Sequence, residues 1–185
     1  MPIFEDAEGE TEGILVASKL MAIAARTAPK TKGADDIITA IVLESEKNAL
    51  ANDMKKIADE RNISGFKRDA QNVRDSVAVV LIGVWSNKAS EFNCGACGYN
   101  NCEEFKKAWR RVGQDFDGPS CIFKILDLGI ALGSAAKTAS ILNIDNRIMY
   151  RVGVAARRLK MLKGADVIIG IPISARGKSI YFDRK

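Results

Sequence analysis

Three of the chain's four cysteines fall within nine positions of the stretch FNCGACGYNNCEEF, Phe92–Phe105, and the fourth is Cys121. Two residues separate Cys94 from Cys97, four separate Cys97 from Cys102, and eighteen lead on to Cys121. One loop with this spacing can wrap a compact centre that a distal residue closes. Thiolates are soft ligands suited to zinc and to iron–sulfur centres, and four of them can hold a 4Fe-4S cubane with one sulfur on each iron. Gly95 and Gly98 directly follow the first two cysteines, where the backbone has to turn tightly and can aim N–H groups at cluster sulfurs. Tyr99, in the same loop, is placed either to shield such a centre from water or simply to pack. Other uses of four cysteines compete. A disulfide scaffold suits small secreted domains, not a chain long enough to build its own core. A structural zinc site with four cysteines is the closer rival, although zinc ribbons usually pair two Cys-x-x-Cys knuckles and only one is present.

The 185 residues include no histidine, which removes the commonest general base, the Ser-His-Asp arrangement and imidazole metal ligation. Proton transfer would fall to carboxylates, Lys, Tyr or water. Asp69, Asp75, Asp115 and Asp117 have no partner at a spacing that suggests acid–base work, and they read as caps and surface turns. The formal charge of +5 is spread over the chain, with clusters at KRDAQNVR, KKAWRR and RRLKMLK that suit solvated helix faces. Aromatic content is low and no groove-reading or base-stacking signature is present, so nucleic acid is not an expected partner. The positive balance favours an acidic redox partner or a phosphate-bearing ligand. The opening FEDAEGETEG is acidic, unlike a secretory signal, and the longest uninterrupted apolar run, Val77–Trp85, is too short to cross a bilayer. A cytoplasmic protein without a membrane partner is expected.

The cysteines need a scaffold to converge. With 47% hydrophobic residues, the composition is that of one soluble domain over residues 1–185, with 92–121 as a cluster-binding segment within it. Apolar residues recur at helical spacing over Thr11–Arg26, with Thr11 as the expected N-cap, and Pro29 ends the run. IITAIVLES reads as a buried strand, SEKNALANDMKKIADER as a helix capped by Ser45, FKRDAQNVRDS as a short helix and VAVVLIGVW as a second strand. CEEFKKAWRRVG has helical composition up to Gly113, followed by a loop, QDFDGPS. Cys121–Leu142 reads as a long apolar helix whose small residues, Gly129, Gly133 and neighbouring alanines, suit a core or a dimer seam. RIMYRVGVAARRLKMLK predicts a further helix, ADVIIGIPIS a third strand and SIYFDR a terminal one. Helices separating the strands point to an α/β (α+β) fold, a layered mixed sheet flanked by helices.

The run NCGACGYNNCEEF followed by GPSC resembles the short 4Fe-4S module of electron-transport complex B subunits and corrinoid iron–sulfur proteins, over residues 93–121. The whole chain resembles an uncharacterised family of prokaryotic ferredoxin-domain proteins, in which this motif is set between ARTAPKTKG and GIPISARGKSIYFDR. That likeness implies one 4Fe-4S cluster on Cys94, Cys97, Cys102 and Cys121, and electron transfer to a partner protein or a small-molecule acceptor. Around the cysteine segment, the early helix, the AP turn, the strand near Ile37, the helix LDLGIALGSAAKTASILNI and the closing GIPIS are similar in order and texture to nitroreductase-type flavoproteins. This second resemblance implies FMN, a homodimer and an oxidoreductase in which flavin and cluster exchange electrons. The chain departs from that family in two places. An acidic EDAEGETEG stands where an arginine–serine pattern grips the flavin phosphate, and KTKGADDI stands where Asn-x-Gln-Pro-Trp is usual. The phosphate would then rely on Arg26, Lys30, Lys32, Arg176 or Lys178. Whether the chain is an enzyme stays open at this point, as does the reading of a non-enzymatic module with structural zinc.

Overall fold

The structure, a computed structural model, describes residues 6–182. Its elements run α1 (Asp6–Thr27), β1 (Ile37–Val42), α2 (Glu44–Arg61), α3 (Ser64–Asp75), β2 (Ala78–Val84), α4 (Cys102–Lys107), β3 (Arg111–Val112), β4 (Asp117–Gly118), α5 (Ile122–Ile141), β5 (Asp145–Asn146), α6 (Tyr150–Arg158) and β6 (Val167–Ser174). The β-branched run of β1 and the continuous apolar runs of β2 and β6 make the centre of a four-stranded sheet, ordered β1-β2-β6-β5. Each pairing is antiparallel, including Ile37 opposite Val84 and Ala78 opposite Ile173. The layered α/β class read from the sequence holds, with an antiparallel sheet where a mixed one was expected.

Every residue of β2 is buried, because both faces of the sheet are covered. Its side chains divide with the two-residue period of a strand. Val79 and Leu81 face a core closed by α2, α3 and α6, through Leu50, Met54, Phe66 and Val152. Val80, Ile82 and Val84 face a second core closed by α1 and α5, through Ile14, Met21, Leu128 and Ala135. Leu81 makes this burial concrete: truncating a fully buried leucine to alanine costs about 2–5 kcal/mol.

Several boundaries differ from the sequence reading, each for a local reason. Thr11 lies inside α1, and its hydroxyl donates to the Ala7 carbonyl instead of capping. Ser45 sits in the first turn of α2, where its hydroxyl donates to Glu46; Leu43 holds the cap position. The helix expected through Gly113 stops at Lys107, because Arg111 and Val112 pair with Gly118 and Asp117 in a small hairpin. That hairpin also claims part of QDFDGPS. The helix expected from Arg147 begins at Tyr150, since Met149 bridges Gly170 of β6, and it ends at Arg158. Ser179–Phe182 form no strand. The carbonyls of Ile180 and Tyr181 accept from the side chains of Asn72 and Arg147, not from a neighbouring strand. Asp183 and Arg184, the rest of that expected strand, lie outside the described residues.

Candidate cysteine-lined redox site

The long excursion between β2 and α5 carries the cysteine loop. Gly95 and Gly98 take positive φ angles of 69° and 86°, and the Gly98 amide donates to the Gly95 carbonyl at 2.9 Å, which closes the tight turn expected beside the first two cysteines. Asn93, itself at positive φ, accepts from the Cys102 amide at 2.9 Å and folds the loop back on itself. Asn101 caps α4 by accepting from the Glu104 amide, while the Glu104 carboxylate accepts from the Asn100 amide. These polar side chains fix where Cys102 enters its helix.

Cys121 comes from a different direction. It immediately precedes α5, and its amide donates to the Ser86 carbonyl at 2.8 Å, which anchors the helix start to the end of β2. All four cysteines line one small hollow. Phe92, Phe105, Ile122 and Phe123 supply its apolar wall, with Phe92 and Phe123 in ring contact at 4.7 Å. None of the four forms a disulfide. Among the described residues no three Cys, Asp or Glu side chains gather closely enough to hold a single metal ion. Four thiolates around one zinc at about 2.3 Å would crowd within roughly 4 Å of one another. A cubane holds each sulfur on a different iron, and four thiols lining one hollow provide that donor set.

The electrostatics of Cys121 suit a metal-ligating thiolate. Burial alone would raise its thiol, yet hydrogen bonding to Ser90 and to the backbone of Ser90, Phe123 and Lys124 outweighs burial and holds it below its ordinary value. Its Sγ lies 3.6 Å from the Ser90 hydroxyl. A thiol biased toward thiolate at the start of a helix is primed as a soft ligand. Behind it, Lys124 is 2% exposed and pairs with Asp36 at 2.8 Å; Asp36 also takes Lys88 at 2.5 Å. Asp127, 3.8 Å from Lys124, accepts from the Thr31 amide and hydroxyl, both at 2.8 Å. This network ties the start of α5 to the segment between α1 and β1.

The five basic residues singled out for a phosphate divide into two groups. Arg26 pairs with Asp35, and Lys30 donates to the carbonyls of Arg26 and Ala28. Lys32 reaches the Glu91 carbonyl at 3.0 Å and sits 4.2 Å from the centre of the Phe92 ring. These three lie at the Val84 end of the sheet, beside the cysteine loop. Arg176 donates to the Asp75 carbonyl at the other end, past the pairing of Ala78 with Ile173; Lys178 follows two residues on and is also engaged. A single chain therefore does not bring all five together. Of the four aspartates, Asp69, Asp115 and Asp117 pair with arginines, and Asp75 accepts from Gln71. Ser90, Asn93, Asn101 and Lys124 escaped the sequence reading. Only the asparagine cap ahead of CEEF carried a local signal, Asn-x-x-Glu.

A three-layer arrangement with the sheet between α1/α5 and α2/α3/α6 defines a protein of the nitroreductase fold. A nitroreductase from Lactococcus lactis, solved with chloramphenicol, superposes with a TM-score of 0.59 at 9% identity, over 95% of this chain and 81% of that one. A nitroreductase from Desulfitobacterium hafniense, solved with bound FMN, gives 0.56 at 13% identity, over 96% and 81%. A protein of Archaeoglobus fulgidus, described as uncharacterized, is 48% identical over 98% of this chain and 97% of its own length. Residues 117–184 match a family described as uncharacterized proteins containing a ferredoxin domain, a span that takes in Cys121 but not the other three cysteines. The chain belongs to this family. No helix among the described residues is long and apolar enough to cross a membrane.

Proposed function

We propose that the chain is a cytoplasmic iron–sulfur redox protein in which Cys94, Cys97, Cys102 and Cys121 hold one 4Fe-4S cluster. The observation that carries this reading is the convergence of all four cysteines on one apolar hollow, although the last comes from another element. When bound, the cluster supplies one-electron transfer. The chain's residues do the rest. Phe92, Phe105, Ile122 and Phe123 line the apolar wall beside the buried Cys102 and Cys121, Ser90 and the first amides of α5 favour the Cys121 thiolate, and the two positive-φ glycines let the loop turn close around them. The ferredoxin-domain family description supports the reading.

A second reading adds FMN as the immediate electron partner, in an oxidoreductase acting on an unidentified acceptor. The contact of Lys32 with Glu91 and Phe92 favours it, because it joins the segment holding Arg26, Lys30 and Lys32 directly to the cysteine loop. Bound FMN in a protein of the same fold supports it further. A homodimer is part of this proposal: Val16, Leu20 and Ile23 on α1 and Ile122, Leu126 and Ile130 on α5 leave an exposed apolar face on two packed helices. Anaerobic purification followed by iron, sulfide, zinc and flavin quantitation tests both readings. Iron with sulfide and no flavin supports the first alone, and flavin alongside them supports the second. Zinc near one per chain without sulfide overturns both.

A further inference from the structure

We infer that the groove between the cysteine loop and the β3–β4 hairpin is the docking surface for an acidic one-electron carrier protein, an inference that rests on the cluster reading above. The groove measures about 640 Å3 and is walled by the rings of Tyr99, Trp109 and Phe116, with Arg111 and Pro119 beside them. Trp109 is 85% exposed and Val112 84%. Large rings and arginine are what recognition surfaces concentrate at their centres.

Around the groove, cations without an ion pair outnumber carboxylates without one. Asp115 is held by Arg61, Asp117 by Arg157 and Glu103 by Lys106, while Glu104 is bonded to Asn100 and has no cation among the described residues. Among the described residues Arg111 makes no ion pair, and Lys107 makes none either, its charge acting on Glu103 beside the Lys106 pair. Across the hairpin, where Asp117 enters a neighbouring groove of about 430 Å3, Lys160 and Lys163 line the wall, without an ion pair among the described residues. Lys107 and Arg111 thus lie two residues to either side of the exposed indole, and Arg111 shares its groove. An occupant that satisfies them brings carboxylates to the rim and an apolar spot to the middle, the arrangement that steers weak, fast redox encounters.

The groove also lies against the cysteines. Tyr99, between Cys97 and Cys102 in the chain, meets Phe105 edge-on at 5.9 Å, and Phe105 lines the hollow. Two touching rings therefore separate a seated partner from the sulfurs. With a cluster held by the four cysteines, one electron would pass to it from the carrier's reduced centre; the carrier would be oxidised by one equivalent and the cluster reduced by one, with no bond or proton exchanged.

The test uses the full anaerobically purified chain and a purified acidic ferredoxin. Binding is measured by calorimetry at low and high salt, and reduction of the iron–sulfur absorbance by stopped flow with reduced ferredoxin or, separately, with methyl viologen. Trp109→Ala and the pair Lys107→Glu, Arg111→Glu should each weaken binding about tenfold at low salt, high salt should weaken wild-type binding similarly, and methyl viologen reduction should be unchanged. Binding that ignores both variants and salt overturns the proposal, as does wild-type protein that does not bind the ferredoxin. So does a change of oligomeric state in Trp109→Ala, which would make a second copy of the chain the occupant. A wild-type chain that binds ferredoxin but holds no iron refutes the cluster reading and leaves the docking surface standing.

Discussion

Asp36 is the residue on which the site's rear support turns. Burial raises its pKa, but hydrogen bonds from Lys124 and Lys88 outweigh burial, and the carboxyl is held below its ordinary 3.8. A depressed carboxylate contributes stability that is complete above the unfolded value and disappears as pH falls through the folded one. Denaturant titrations should therefore show the wild type losing stability below about pH 4 partly through this group, with Asp36→Asn lacking that component. At neutral pH the same substitution leaves Lys124 buried with Asp127 alone, and it should cost about 3 kcal/mol. A variant as stable as wild type at pH 7 would show that the pair contributes nothing. This support was not legible in the sequence. A lysine in an apolar helix reads as a surface residue, and nothing local to Lys124 announces a partner nearly ninety positions earlier. The four cysteines were legible because their chemistry is rare and their spacing short, and the glycine turns between them follow from the same few residues.

At the level of elements, α6 and β6 meet more closely than any side chain would allow. A Cβ on Gly153 would stand 1.6 Å from the Ile168 carbonyl oxygen, and one on Gly170 would stand 2.2 Å from a Val152 methyl carbon. Gly153→Ala should therefore push α6 off the sheet and cost about 3 kcal/mol in thermal or chemical denaturation. An alanine variant of unchanged stability would contradict the close packing. The long elements were readable because their periods are strong: β2 is apolar throughout, and α5 keeps small and large apolar residues in helical register. The short ones were not. Two-residue strands such as β3, β4 and β5 carry no period, and the hairpin that truncates α4 depends on Arg110 reaching Asp166, fifty-six positions away.

On the scale of the whole molecule, the exposed stripe of α5 combines Leu126, 53% exposed, with Gly129 and Gly133, whose missing side chains face open space. In a monomer, Gly129→Ala at an exposed helix position should stabilise by about 1 kcal/mol. In the proposed homodimer the same change fills a seam, so sedimentation should show weaker association while the fold is kept, and Leu126→Glu should leave monomers. Unchanged association in both variants would remove α5 from any interface.

The central claim is that four sulfurs from two elements share one inorganic centre. Iron and acid-labile sulfide, measured per chain after anaerobic reconstitution of wild type and Cys121→Ser side by side, test it most directly. The account predicts about four of each in the wild type and a clear loss in the variant. Equal iron and sulfide in the two proteins would contradict it.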